Sequence, residues 1–284
     1  MSPAGLLSAL QYSFVRNMFI AGVLGSIACG IIGTYVVVKR LVFISGGVAH
    51  TCFGGIGLAY LLGFSPILGA VVFALGSALT LGISSLKTRI REDSAIGSMW
   101  AVGMGLGILF MTKAPGIVPS PTSILFGDIL LVKTSDLWLL LGLCVSIVAI
   151  VALLYRQLLA LTFDEEFAKI SGVPTELLYL LLLSLIALTV VLLLKVMGVI
   201  LVIALLTMPA TIAGLFTKDL KRMMILAVLL AAILTNLGLI VAWRYDAPPG
   251  SAIVIILASA LAVAILGKRI WQYLTGKSKA SPAQ

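Results

Sequence analysis

Residues 41–86 run for 46 positions without one Asp, Glu, Lys or Arg. A membrane-crossing helix needs about 20 mostly apolar residues. The run is too long for one crossing, and it divides at Gly63-Phe64-Ser65-Pro66. Further apolar stretches at 18–38, 94–112, 137–155, 177–194, 196–216, 223–243 and 251–266 bring the expected number of spans to nine. Hydrophobic residues make up 61% of the 284 positions and charged residues 10%, whereas a soluble domain carries about a quarter charged residues. The expectation is an all-α polytopic membrane bundle of eight to nine helices. It forms one transmembrane domain over 1–284, with 1–17 as an N-terminal surface segment and 271–284 as a tail. No cleavable signal peptide is expected, because the first cation is Arg16 and no small-residue cleavage site stands out.

The net charge of +9 does not point to nucleic acid, because the cations sit at the ends of apolar runs. Lys and Arg accumulate in cytoplasmic loops. With the loop of Lys39 and Arg40 inside, alternation also places Lys87, Arg89, Arg91, Arg156, Lys169, Lys218, Lys221, Arg222, Lys268, Arg269, Lys277 and Lys279 there. Arg16, Lys113, Lys133, Lys195 and Arg244 fall on the other side. This reads as a multi-pass cell-membrane protein with its N-terminus outside and its C-terminus cytoplasmic. Lys195-Val196-Met197-Gly198 reads as a tight external turn, the alternative being an intramembrane lysine, which would be costly and functional. Pro115, Pro119 and Pro121 forbid a regular helix at the start of 114–132, so a loop and a short outer helix are expected there. Cys29, Cys52 and Cys144 lie in apolar runs and read as small buried hydrophobes.

His50 is the single histidine. On a helix, Gly46, His50, Gly54 and Gly57 share one face at spacings of three and four. Glycines one turn above and below remove bulk beside the imidazole. Either a neighbouring helix packs close there or the histidine faces a cavity. A cross-helix hydrogen bond is one role for it, and one ligand of a transition metal is the other.

The acids Glu92, Asp93, Asp128, Asp136, Asp164, Glu165, Glu166, Glu176, Asp219 and Asp246 all fall in loops or at span ends. A carrier driven by protons or sodium usually holds a carboxylate or broken-helix site near the midplane, so this distribution argues against one. The segment Phe163-Asp164-Glu165-Glu166-Phe167-Ala168-Lys169-Ile170-Ser171-Gly172-Val173-Pro174 predicts a short surface helix. Asp164 caps it, and Glu165 and Glu166 suit its positive end. Ala168 and Ser171 fall within it, Gly172 stops it in a left-handed conformation, and Pro174 forbids continuation. Phe167 then faces water, as a docking element for a partner would require. Pro209 lies inside the seventh span, where it frees the Leu205 carbonyl and predicts a kink that Thr207 or Thr211 relieves. No GxxxxGK[ST] loop or HExxH motif is present, so neither ATP hydrolysis nor zinc proteolysis is expected of this chain.

Five stretches in order resemble one family. They are Asp93-Ser94-Ala95-Ile96-Gly97, Leu125-Phe126-Gly127-Asp128-Ile129-Leu130, the 163–174 loop, the 198–213 span and Tyr245-Asp246-Ala247-Pro248-Pro249-Gly250. Over about 10–270 the chain resembles the membrane permease subunits of ATP-binding-cassette importers for zinc, manganese or ferrous iron. The resemblance implies a type II importer-like fold, no enzymatic activity and no permanently bound cofactor. It implies a homodimer in membrane lipid on two cytoplasmic ATPase subunits, with an extracellular or periplasmic metal-binding protein. The divalent metal is cargo, and Asp164, Glu165, Glu166, Phe167, Ala168, Ser171 and Gly172 form the coupling helix. It also implies an aspartate and a histidine one turn apart on the second span as metal ligands. His50 fits the histidine, but Gly46 stands at the aspartate position, which leaves a metal chelate or other small nutrient as alternative cargo. A stand-alone channel or secondary carrier is the alternative outside the family.

Overall fold

The computed structural model describes residues 11–87, 92–116, 118–127 and 129–275. Arg89, Arg91 and Asp128, most of the 1–17 segment and the 277–284 tail lie outside them. The helices are α1 (Ser13–Val38), α2 (Val42–Leu62), α3 (Pro66–Lys87), α4 (Glu92–Lys113), the short α5 (Pro121–Phe126), α6 (Thr134–Leu153), α7 (Tyr155–Phe163), α8 (Glu165–Ile170), α9 (Thr175–Phe216), α10 (Leu220–Tyr245) and α11 (Pro249–Leu274). A 3-10 turn at Ile129–Leu131 precedes α6. Eight of these helices are long and apolar enough to cross a membrane.

The nine expected segments become eight helices because two of them lie within α9. A straight helix of its 42 residues would measure about 63 Å, twice the roughly 30 Å of bilayer hydrocarbon. The helix is broken at Gly198, whose φ of 77° and ψ of 164° are not helical. The neighbour α1 acts as a ruler. Its Gly25 faces Leu193 and Met197, and its Gly33 faces Leu206. Val37 and Val38, at its end, pack against the cluster of Ala210, Ala213, Met223 and Ala227. At that same end Lys39 pairs with Glu165 of α8, whose Lys169 lies near Glu176 at the start of α9. Both ends of α9 therefore sit at one face of the bundle, and the chain turns back at Gly198. This face, called the α8 face below, also carries the ends of α1 and α11. The start of α1, α5 and the start of α6 lie at the opposite, far face.

Two ends differ from expectation. Helix α1 begins at Ser13, so Val15 and Asn17 are buried and are not part of a surface segment. The Asn17 side-chain amide donates to the Val132 carbonyl at 3.3 Å, which satisfies it inside the bundle. Helix α11 continues to Leu274, which shortens the tail.

The second span is largely wrapped by its neighbours, whereas α4 and α11 leave most of their surface open. Small residues make the wrapping possible. A Cβ added at Gly103 of α4 would lie 2.6 Å from Thr51 Cα, and one at Gly54 would lie 2.8 Å from the Phe73 ring of α3. Backbones that approach this closely gain dispersion contacts that larger side chains would block. Thr51 Oγ also donates to the Met99 carbonyl at 3.3 Å.

Candidate functional site

His50 lies eight residues into α2, about 12 Å from the α8 face and so near mid-membrane. Its half-buried ring stacks on Trp100 of α4, with centroids 4.0 Å apart and planes 11° from parallel. His50 Nδ1 is buried without a hydrogen-bond partner. A buried polar atom left unpaired costs about 1–3 kcal/mol, so such an atom invites a ligand. The glycines on this face divide into two sets. Gly54 and Gly57 accept the close approach of α3 and α4, while a Cβ at Gly46 would meet no atom within 4 Å. Close packing and open space thus occur on the same face, one turn to either side of the imidazole.

Among the described residues no three of His, Cys, Asp and Glu gather in one place. His50 therefore belongs to no such group among the described residues. Cys52 points elsewhere and bonds the Val48 carbonyl of its own helix at 3.1 Å. Trp100, 37% exposed, is the partner that sequence reading missed, and no spacing rule links a tryptophan on α4 to a histidine on α2.

The α8 foot is built from local signals. Asp164 Oδ1 accepts the Phe167 N–H at 2.9 Å and caps the helix. At the other end the Gly172 N–H reaches Lys169 O at 3.2 Å, and the Val173 N–H reaches Ala168 O at 3.0 Å. This pair of bonds is the Schellman closure, which requires a left-handed residue. Gly172 supplies it at φ 79°. Ser171 is the C-cap residue, and its N–H bonds Phe167 O. Ala168 is buried, whereas Phe167 and Ile170 are 64% and 86% exposed. Glu166 is also exposed.

The foot is fastened to α1 by Lys39, which the sequence did not single out for this. Its Nζ donates to the Leu161 carbonyl at 3.0 Å and pairs with Glu165 Oε2 at 2.8 Å, 6.0 Å from the centre of the Tyr179 ring. The Lys39 side chain is only 14% exposed. The next residue, Arg40, takes a left-handed φ of 59° and starts the turn into α2, the helix of His50. Contacts and chain continuity thus link α8 through Lys39 to the start of the histidine helix.

At the far face a cavity of about 380 Å³ is lined by Ile56, Tyr60, Ser123, Lys133, Asp136 and Lys195 among others. Ile56 lies about 9 Å along α2 from His50. Lys195 is not a lone intramembrane charge, because it pairs with Asp136. Gly127, at φ 64°, packs on the backbone of Met197 and Gly198, so two of the stretches that carried the resemblance touch. In α9 the non-helical φ/ψ belongs to Gly198 and not to Pro209. Thr207 and Thr211 donate to the carbonyls of Ile203 and Thr207, so these hydroxyls serve carbonyls other than that of Leu205.

The described residues form a helical membrane bundle with a histidine near its middle and an anchored apolar foot, an arrangement suited to a transport subunit. The family model described as the ABC 3 transport family matches residues 11–268. A "Probable metal transport system membrane protein" of Chlamydia trachomatis is 39% identical over 256 residues, covering 88% of this chain and 87% of the relative. The "Manganese transport system membrane protein MntC" of Halalkalibacterium halodurans is 34% identical over 255 residues, covering 90% of this chain and 87% of the relative. A solved structure, PsaBC from Streptococcus pneumoniae in complex with Fab, superposes with a TM-score of 0.85 at 29% identity, covering 96% of this chain and 100% of that one. The chain belongs to the ABC 3 transport family, as a membrane permease and not an enzyme.

Proposed function

We propose that this chain is the pore subunit of an ATP-driven importer of a divalent transition-metal ion. Two copies face each other across the membrane path, and two copies of a separate ATPase dock on the α8 face. The observation that carries the reading is the foot, with its exposed Phe167 and Ile170 on a helix capped at both ends and fastened through Lys39. An exposed apolar pair on a rigid support suits a partner's hydrophobic groove. The α8 face is then cytoplasmic, in keeping with Lys39, Arg156, Lys169, Lys221, Arg222, Lys268 and Arg269 on that side. A binding protein delivers the cargo at the far face.

His50 is the ligand offered by each copy, supported by its unpartnered Nδ1 and its mid-membrane position. Two such rings, completed by water or carbonyls, make a weak site, and a path that must release its cargo works with weak sites. The name of the Halalkalibacterium halodurans relative makes manganese the first cargo to test. The open space at Gly46, where a carboxylate is missing, favours a second reading in which a metal chelate or other bulkier nutrient is carried.

The test is uptake into proteoliposomes by this chain co-reconstituted with an ATPase that co-purifies with it. ATP-dependent accumulation of manganese, or of a competing metal, supports the reading. Accumulation by the isolated chain without nucleotide overturns it in favour of a stand-alone channel or carrier.

A further inference from the structure

A groove of about 540 Å³ runs between α1, α6 and α10, walled by Ile27, Ile31, Val148, Val151, Val228 and Leu229. Val148, Ile225 and Leu229 are exposed along it, so it opens sideways at the surface of the bundle. Its end at the α8 face is different, because Tyr155 and Lys221 line it there. Arg156, beside Tyr155, is exposed as well. The Asp219 carboxylate lies near the Tyr155 hydroxyl, which also meets the Lys221 backbone N–H; it caps α10 and accepts the Arg222 N–H at 2.8 Å.

Length decides what fits. Lys221 and Leu229 are eight residues apart on one helix, so the groove is about 12 Å deep. That approaches half of the roughly 30 Å hydrocarbon thickness. A partner helix crossing the membrane would need an apolar seam of the whole thickness, whereas one leaflet's acyl chain needs half. The cation at the mouth then selects the headgroup, since basic residues at this depth attract anionic lipid.

We propose that this groove holds an acyl chain of an anionic phospholipid from the leaflet on the α8 face, with its phosphate met by Lys221 and the Tyr155 hydroxyl. The site is separate from the His50 path and stands whether or not the transport reading holds. An occupied groove would wedge α10 against α1, the helix fastened to α8.

The test is native mass spectrometry of the purified full chain titrated with dioleoyl phosphatidylglycerol or dioleoyl phosphatidylcholine. Phosphatidylglycerol adducts are expected to survive preferentially. Lys221→Glu is expected to weaken them about fivefold or more, the factor equivalent to about 1 kcal/mol per cation at an anionic surface, and to leave phosphatidylcholine unchanged. Ile225→Trp, which fills the groove from an exposed position, is expected to reduce retention of both lipids. Lys221→Gln provides a milder charge change, and unfolding temperatures confirm that each variant is folded. Equal retention of the two lipids by the wild type, or unchanged phosphatidylglycerol retention in folded Lys221 and Ile225 variants, overturns the proposal.

Discussion

Asp136 Oδ1 and Lys195 Nζ meet at 2.5 Å across a sequence separation of 59 residues. The Asp136 side chain is only 8% exposed, and its other oxygen accepts the Lys133 N–H at 3.3 Å. The pair ties the start of α6 to α9 just before the reversal at Gly198. Lys195→Met strands a buried carboxylate and is expected to destabilise by about 2–3 kcal/mol, the range for a buried acceptor that loses a charged partner. The double variant Asp136→Asn with Lys195→Met is expected to regain more than half of the loss. Thermal unfolding in detergent checks this, and strictly additive losses would show that the pair is not coupled.

His50→Ala is expected to leave the fold intact, because the ring is only half-buried and stacks on a partly exposed Trp100. ATP-dependent metal uptake is expected to fall about tenfold or more, the factor that about 1.4 kcal/mol of lost binding carries. Uptake at the wild-type level would assign His50 to packing.

Gly46→Asp introduces a carboxylate one turn from the imidazole, in a space where its Cβ meets no neighbour within 4 Å. Metal binding measured by calorimetry is expected to tighten about tenfold. Turnover is expected to slow, since a tighter intermediate site releases cargo less readily. Unchanged affinity would mean that position 46 does not face the path.

Phe167→Ala and Ile170→Asp remove the exposed apolar pair of the foot. Each is expected to weaken ATPase binding about thirtyfold, corresponding to the roughly 2 kcal/mol of an interface anchor. Circular dichroism should be unchanged, because neither side chain is buried. Pull-down of the ATPase at wild-type strength by both variants would refute docking at this helix.

Lys39→Gln breaks the link between Glu165, the Leu161 carbonyl and the end of α1. ATPase binding is expected to persist while metal moved per ATP falls several-fold, and Lys39→Arg is expected to restore part of the coupling. An equal fall in hydrolysis and uptake would point to a structural loss instead.

Local chemistry was readable in advance wherever one stretch of chain carried the whole instruction. The cap at Asp164, the left-handed stop at Gly172 and the exposure of Phe167 follow from residues within nine positions of one another. The spans were visible for the same reason, since uncharged apolar runs must leave water. The histidine face was half readable. Helical spacing put Gly46, His50, Gly54 and Gly57 together, but it could not say that α3 and α4 fill the space at Gly54 and Gly57 and leave Gly46 open.

The sequence alone determined a polytopic helical membrane protein, its charge asymmetry and its surface foot, because periodicity, hydropathy and capping act over a few turns. Only the tertiary structure decided that Trp100 covers His50, that Lys39 fastens the foot to α1, and that Asp136 neutralises Lys195. Those partners lie on different helices, and in lipid the choice of neighbour rests on close backbone packing and polar pairing, which no single helix encodes.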